Sequence, residues 1–240
     1  MVRLSCLWGL GLFACTPARP ADVPAARNEP PNRAAQSASV TAPSSNAPTT
    51  EQDALLAAWQ EYRSCLVNRD GQRALGLVTQ ESIDEYGRQH ALALQATRDE
   101  VRELDVLDRY TVLMLRARVS SERLRKLDGR STLALAIDRG WVGSELPREV
   151  VVKRIAGDLG YVTFLKDGEE IPIQIPFMRR VEGTWRVDLV ELVRFIRPAL
   201  LKIFQDLAKQ ENTDVNGAIL VVLERLVGEK PKDSIWDPPR

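Results

Sequence analysis

Apolar residues recur at helical spacing in the part of the chain that follows residue 50. Leu55, Trp59 and Leu66 share one face of a helix that is predicted to begin after Thr50, whose hydroxyl can cap it. A capping box of Ser82 and Glu85 is predicted to open a later helix. The helices that this spacing predicts cover residues 51–67, 72–78, 82–94, 106–117, 122–127 and 133–137.

The period changes from helix to strand after Pro147. Turn signals that contain glycine separate four short runs of alternating or β-branched residues, which is typical of an antiparallel meander. Pro172 and Pro176 both lack an amide on one side of the third run, which predicts an edge or a bulge there. The predicted strands cover residues 149–155, 161–165, 171–177 and 185–188, and Gly71, Gly157, Gly168 and Gly183 are interpreted as turn glycines.

Helical spacing returns after the last strand, over residues 190–196, 199–209 and 215–227. The chain is therefore predicted to be α+β, with N-terminal helices (51–140) packed on a curved antiparallel four-stranded meander (148–188) and followed by C-terminal helices (189–227). These elements form one globular domain, 51–228. The tail 229–240 is predicted to be loose.

The N-terminus has the anatomy of an export signal. One positive charge in Met1–Arg3 precedes an apolar run of eleven residues, Leu4–Ala14, which is too short to span a bilayer. The run ends Leu12-Phe13-Ala14-Cys15, which resembles the lipobox of bacterial lipoproteins. The resemblance implies that residues 1–14 are a signal peptide and that Cys15 is lipidated. The alternatives are an uncleaved anchor and an ordinary secretory signal.

The segment 15–50 is predicted to be a disordered tether between that lipid and the domain. It holds seven of the fourteen prolines and almost no large apolar residue, so it cannot form a core. Each buried acyl methylene stabilises membrane attachment by about 0.8 kcal/mol. Thr16 follows the cysteine where inner-membrane lipoproteins often carry aspartate, so the expected location is the outer membrane, facing the periplasm.

Composition excludes several classes of function. Lysine plus arginine equals aspartate plus glutamate, 33 each, so no basic surface for nucleic acid is expected. Only Cys65 lies in the domain, which rules out a disulfide framework, and we interpret it as a buried apolar residue rather than a nucleophile. With one histidine and no cysteine pair, no metal site and no cofactor are expected.

Three motifs resemble the nuclear-transport-factor-2-like superfamily of cone-shaped α+β domains. They are the turn and short helix Asn68–Leu75, the step Leu77–Gln80, and the strand end Gly183–Asp188 (GTWRVD). The resemblance covers residues 51–192. The helix-rich stretch 99–143 and the helices after Pro198 depart from it. Because this superfamily contains enzymes and non-enzymatic domains, the fold does not decide the function.

The resemblance suggests two residues that could face a cone, Tyr161 and Asp188, although neither falls in a catalytic motif. Asp188 precedes a helix, so capping is its simpler role. His90 lies on an apolar helix face and is interpreted as a hydrogen-bonded core residue. Trp141 and Trp185 could line a pocket or belong to the core.

The sequence therefore predicts a membrane-anchored envelope lipoprotein whose domain is not catalytic. Its partners would be membrane lipid, through acylated Cys15, and either an envelope protein or a small apolar ligand bound in the cone. The alternative is an isomerase- or hydratase-like enzyme that uses the same cone. A third hypothesis has the helices after residue 199 docking on a membrane or partner instead of on the domain.

Overall fold

The structure, a computed structural model, describes residues 50–142, 149–166 and 168–239. The predicted signal peptide, Cys15 and the tether up to residue 49 lie outside the described residues.

Seven α-helices and one 3₁₀ turn, Leu75–Leu77, precede the sheet in this part of the chain. The predicted helices are present with shifted ends, whereas the helix Arg98–Glu103 has no counterpart among them. The helices are α1 (Glu51–Asn68), α2 (Gly71–Ala74), α3 (Gln80–Gln95), α4 (Arg98–Glu103), α5 (Val106–Arg118), α6 (Ser121–Leu124) and α7 (Gly129–Asp138).

The cap of α1 was predicted correctly and that of α3 was not. Thr50 Oγ1 accepts a hydrogen bond from the Asp53 amide at 3.1 Å. Helix α3 begins earlier than predicted, because Thr79 is its cap and accepts from the Ser82 amide at 3.3 Å. Ser82 lies inside the first turn of α3 instead, and its Oγ accepts from the Leu189 amide at 2.9 Å.

The strands form an antiparallel sheet in the order β1-β2-β4-β5, with the short β3 paired to β2. The predicted α+β class and the four-stranded meander are therefore confirmed. The strands are β1 (Val150–Ala156), β2 (Leu159–Lys166), β3 (Glu169–Glu170), β4 (Ile175–Val181) and β5 (Thr184–Val187).

The third long strand begins later than predicted and contains a bulge. The register runs from Val162 opposite Ile175 to Gly160 opposite Met178, so β4 has one residue more than β2 in this interval. Pro176 lies in that interval, where the missing amide disturbs the ladder least. Ile173, which the predicted strand 171–177 includes, lies before β4 and is 44 % exposed.

Two helices follow the sheet, α8 (Leu189–Gln210) and α9 (Val215–Val227). The break predicted between residues 196 and 199 is wrong, because α8 runs through Pro198 as one helix. Asp188 caps α8 by accepting from the Glu191 amide at 3.0 Å.

Buried side chains form two cores. The sheet core lies between α1 and the sheet, where the rings of Trp59 and Phe177 meet edge to face with centroids 5.2 Å apart. The helical core lies among α5, α8 and α9. The sheet core includes Leu55, Trp59, Tyr62, Val162, Phe164, Phe177 and Trp185. The helical core includes Leu107, Val112, Leu113, Leu200, Phe204, Ile219, Leu223 and Trp236.

The tail 229–240 was predicted to be loose, and this prediction is wrong. A short 3₁₀ helix, Asp233–Trp236, places Ile235 and Trp236 in the helical core. Arg116 Nη1 donates to the Trp236 carbonyl oxygen at 2.7 Å. Helices α8 and α9 bury their apolar faces in the same core, so the hypothesis that they dock elsewhere instead is also wrong.

The described glycines include some that adopt a positive φ in turns and one that allows two helices to pack closely. Gly157, Gly168 and Gly183 have φ values of 59°, 82° and 79°, as their predicted turns require. Gly71 is not a turn glycine: it begins α2 without a positive φ, and its lack of a side chain allows close approach to Ala134.

Candidate functional site

A cavity of about 450 Å³ lies between the two cores. The sheet core supplies one wall through Tyr62, Phe164 and Leu189, and the helical core supplies the other through Leu107 and Phe204. The first half of α8 also lines the cavity. Most of the lining is apolar, as in binding sites for small molecules.

Charged and amide side chains form a network at the wall made by α3 and α5. Asp108, 9 % exposed, accepts from Gln89 Nε2 at 2.6 Å and from Arg88 Nη2 at 2.7 Å. Arg88 also holds Glu85 with two hydrogen bonds, Nε to Oε2 at 2.8 Å and Nη2 to Oε1 at 2.6 Å. All four side chains line the cavity.

The pKa values of the two carboxyl groups are displaced in opposite directions. Burial raises the pKa of Asp108 above its ordinary value, and the hydrogen bond from Arg88 only partly opposes this effect. Burial would also raise the pKa of Glu85, but the hydrogen bonds from Arg88 and Gln89 lower it below its ordinary value. Glu85 is therefore the more firmly ionised of the two.

Helix α8 adds two guanidinium groups to the lining, those of Arg194 and Arg197. Arg197 Nη1 lies 2.6 Å from Asp105 Oδ2, and Arg194 pairs with Glu191 on its own helix. Each guanidinium therefore has a carboxylate partner.

Two phenols belong to the lining and behave differently from the charged groups. Tyr62 is fully buried, and its hydroxyl has no hydrogen-bond partner among the described residues. Tyr86 is half-buried. Burial, followed by the charge of Glu85, raises the pKa of Tyr86 to about 12, and burial raises that of Tyr62 as well. Both phenols are therefore neutral at physiological pH.

The two residues suggested by the resemblance do not meet in this cavity. Tyr161 is absent from its described lining, and the guanidinium of Arg154 stacks 3.6 Å from the centroid of its ring. Asp188 also lies outside the lining, where it caps α8 and pairs with Arg179 Nε at 2.9 Å. The simpler role predicted for Asp188, a helix cap, is confirmed.

His90, the single histidine, is a core residue, as interpreted from the sequence. It is buried, and its Nε2 lies 2.8 Å from the Leu124 carbonyl oxygen. Cys65 is buried in the sheet core, where burial raises the pKa of its thiol. Trp141 lines the cavity and stacks with Arg118, whereas Trp185 belongs to the sheet core.

Sequence reasoning missed most of the polar lining. Tyr86 lies in the predicted helix 82–94 and was given no polar role, and Glu85 was assigned to a cap. The signal that could have found the network is the spacing of Glu85, Arg88 and Gln89, which places them on neighbouring turns of one helix face. The partner on α5, Asp108, carries no local signal.

The described residues contain no helix that is long and apolar enough to cross a membrane, and no group of three metal-ligating side chains. They define an α+β domain with a mainly apolar cavity between two cores. Comparison of the chain with protein-family models, curated proteins and solved structures gave no match. The superfamily resemblance and the lipobox resemblance therefore stay predictions.

Proposed function

We propose that this chain is a bacterial envelope lipoprotein, anchored through lipid on Cys15, whose domain binds a small apolar ligand without transforming it. The observation that carries the binding role is the cavity between the two cores. Its volume of about 450 Å³ falls within the range of small-molecule sites. Support for the anchor comes from the sequence of residues 1–15.

Binding can be tested by fluorescence quenching, because Trp141 lines the cavity. The full-length protein in non-ionic detergent micelles is titrated with 10-bromodecan-1-ol, whose bromine quenches nearby tryptophan. We expect saturable quenching in the wild type and its loss in Trp141→Phe. Quenching that rises without saturation, or equally in both proteins, would contradict the proposal.

Occupation of the cavity itself calls for a second pair of variants. Met114→Phe/Ile196→Phe adds two rings to the lining, whereas Val67→Phe/Leu201→Phe adds two rings at exposed positions outside it. We expect the first variant to lose at least tenfold in affinity and the second to bind like the wild type. Equal affinities would mean that the ligand lies elsewhere.

The anchor is tested separately. Intact mass and detergent partitioning are measured for the protein expressed in a gram-negative host, beside Cys15→Ser. We expect a wild-type mass that corresponds to an acylated chain starting at Cys15, and partitioning into detergent that the variant lacks. Two unmodified, water-soluble proteins would refute the anchor while leaving the binding role open.

The alternative, an isomerase- or hydratase-like enzyme, is favoured by one observation. Asp108, a buried carboxyl group, and Tyr86, a phenol donor, belong to the same cavity lining. Both oxygens of Asp108 already accept hydrogen bonds, from Arg88 and Gln89, which weakens the carboxylate as a base. The probe is exchange of the α-protons of 2-decanone in D₂O. We expect that the protein does not accelerate this exchange. Acceleration by the wild type that Asp108→Asn abolishes would favour the enzyme hypothesis.

A further inference from the structure

The positive charges that the described residues bring to the cavity lining are already neutralised. Arg88 is paired with Glu85 and Asp108, and the two arginines of α8 are paired with Asp105 and Glu191. A ligand carboxylate that accepted from a remaining N–H of these guanidinium groups would therefore meet a charge that a neighbouring carboxylate already offsets. Burying an unpaired charge is strongly unfavourable.

The negative charges are neutralised in the same way. The described part of the lining contains two carboxyl groups, those of Glu85 and Asp108, and both are held by Arg88 and Gln89. The amide of Gln89 is fixed with its nitrogen toward these oxygens, since turning it over would bring a third oxygen against them. A ligand ammonium group therefore finds no vacant carboxylate in the described lining.

A neutral donor is available instead. Among the residues that the structure describes, no hydrogen bond is formed by the hydroxyl of Tyr86, and Tyr86 is only half-buried although it belongs to the cavity lining. With its pKa raised to about 12, the phenol stays protonated, and its O–H can donate a hydrogen bond to an oxygen of a bound molecule.

We propose that the cavity selects an uncharged ligand, an apolar chain with one oxygen that accepts a hydrogen bond from Tyr86, over carboxylates and amines of the same length. This inference rests on the proposed binding function and specifies its ligand. The paired charges exclude the ionic head groups, and Tyr86 distinguishes an alcohol from a plain hydrocarbon.

The test uses four compounds with the same ten-carbon chain and bromine: 10-bromodecan-1-ol, 1-bromodecane, 10-bromodecanoate and 10-bromodecylammonium. Quenching of Trp141 is measured in full-length protein in non-ionic micelles. We expect the alcohol to bind roughly three- to tenfold more tightly than bromodecane, the effect of one net hydrogen bond. Both ions should bind at least tenfold more weakly than the alcohol.

Two variants separate the roles. Tyr86→Phe keeps the ring but removes the hydroxyl. It should lower the affinity for the alcohol to that for bromodecane, and the affinity for bromodecane should not change. Glu85→Gln removes the charge of one partner of Arg88, and we expect it to raise the affinity for the carboxylate severalfold while leaving bromodecane unaffected.

The outcomes distinguish this inference from the function on which it rests. If none of the four compounds shows saturable quenching, the binding function itself fails. If bromodecane binds but the carboxylate or the amine binds more tightly than the alcohol, the binding function stands and the charge selection is wrong. An alcohol preference that survives Tyr86→Phe would overturn the role of the phenol.

Discussion

Gly71 shows how a single missing side chain shapes this domain. A Cβ at this position would lie 2.2 Å from the Ala134 carbonyl oxygen and 2.6 Å from Asp138 Oδ1, which accepts a hydrogen bond from the Gly71 amide at 2.7 Å. We therefore expect Gly71→Ala to lower the free energy of unfolding by about 1–3 kcal/mol, because α2 must move away from α7. Urea denaturation followed by circular dichroism measures this loss.

Gly76 offers a matched control five residues away. It lies in a 3₁₀ turn without a positive φ, and a Cβ there would meet no atom within 4 Å. Gly76→Ala should be neutral or stabilise the domain by up to about 1 kcal/mol, since it restricts the unfolded chain. Equal losses for the two variants would contradict the steric explanation of Gly71.

Arg116 joins the end of α3 to the C-terminal tail. Its guanidinium donates to the carbonyl oxygens of Leu92, Ala93, Ala96, Ile235 and Trp236, at distances from 2.5 to 3.4 Å. Arg116→Met keeps the stem but removes the guanidinium donor from all five oxygens, of which that of Leu92 still accepts from the Ala96 amide, so we expect a loss of about 2–4 kcal/mol in the free energy of unfolding.

The control for Arg116 is Arg123→Met, at an exposed position whose side chain makes no described hydrogen bond. We expect a change within about 0.5 kcal/mol there. Denaturant midpoints of the two variants measure the difference. If they coincide, the carbonyl contacts of Arg116 do not stabilise the fold.

Tyr86 makes stability depend on pH in the alkaline range. A phenol in an unfolded chain ionises near pH 10, whereas the folded protein raises the pKa of Tyr86 to about 12. Because the unfolded state then loses its proton first, the stability that Tyr86 contributes is complete below about pH 10 and falls as the pH rises toward 12. Tyr86→Phe should flatten this decline, measured as the urea midpoint between pH 9 and 11. An unchanged slope would mean that burial does not perturb the phenol.

At the scale of elements, α8 contains a proline that its helix does not need for packing. Pro198 is exposed, lies inside the helix and cannot donate the amide hydrogen bond to the Arg194 carbonyl oxygen. Proline in a helix interior costs about 3 kcal/mol relative to alanine. We expect Pro198→Ala to raise the free energy of unfolding by about 1–3 kcal/mol. The exposed control Ala199→Gly should lower it by about 1 kcal/mol.

The same proline explains an error in predicting elements from the sequence. Proline signals the end of a helix through local sterics, but the apolar residues before and after Pro198 both pack in the domain, and this packing keeps α8 continuous. Strong periodicity and turn chemistry did predict α1, α5, α9 and the meander. The cap of α3 depends on a tertiary contact, because the Thr79 amide donates to the Val187 carbonyl oxygen of β5, and local sequence does not determine that.

The cavity could not be predicted from the sequence in the same way. Its lining comes from elements far apart in the chain, so Tyr62, Asp108 and Ile171 meet only through tertiary packing. Sequence patterns identified the turns, the cap Asp188 and the core residue His90, each of which depends on neighbours along the chain or on one helix face. The suggestion that Tyr161 faces a cavity was wrong, because the alternation of side chains along a strand predicts two faces but not which of them meets the cavity.

At the scale of the whole molecule, the cavity depends on how the two cores are held against each other. Helix α3 contacts both α7 and α5, and α8 contacts the sheet as well as α9, so these two helices connect the sheet core with the helical core. A change that loosens the helical core should therefore reach the cavity wall, since Leu107, Leu200 and Phe204 belong to both.

The C-terminal tail is the element whose removal tests this connection most directly. A chain that ends at Gly228 loses the buried side chains of Ile235 and Trp236, and it leaves Arg98 without Asp233 and Asp237. Truncating one buried tryptophan alone costs about 3–5 kcal/mol. We expect the shortened protein to unfold at a clearly lower urea concentration and to bind 10-bromodecan-1-ol more weakly.

In the full-length chain, Trp236→Ala should reproduce most of the loss and Lys230→Ala, at an exposed position, none of it. A shortened protein as stable as the wild type would mean that the tail covers the helical core without stabilising it. Normal ligand binding by a clearly destabilised protein would mean instead that the cavity is held by the sheet core alone.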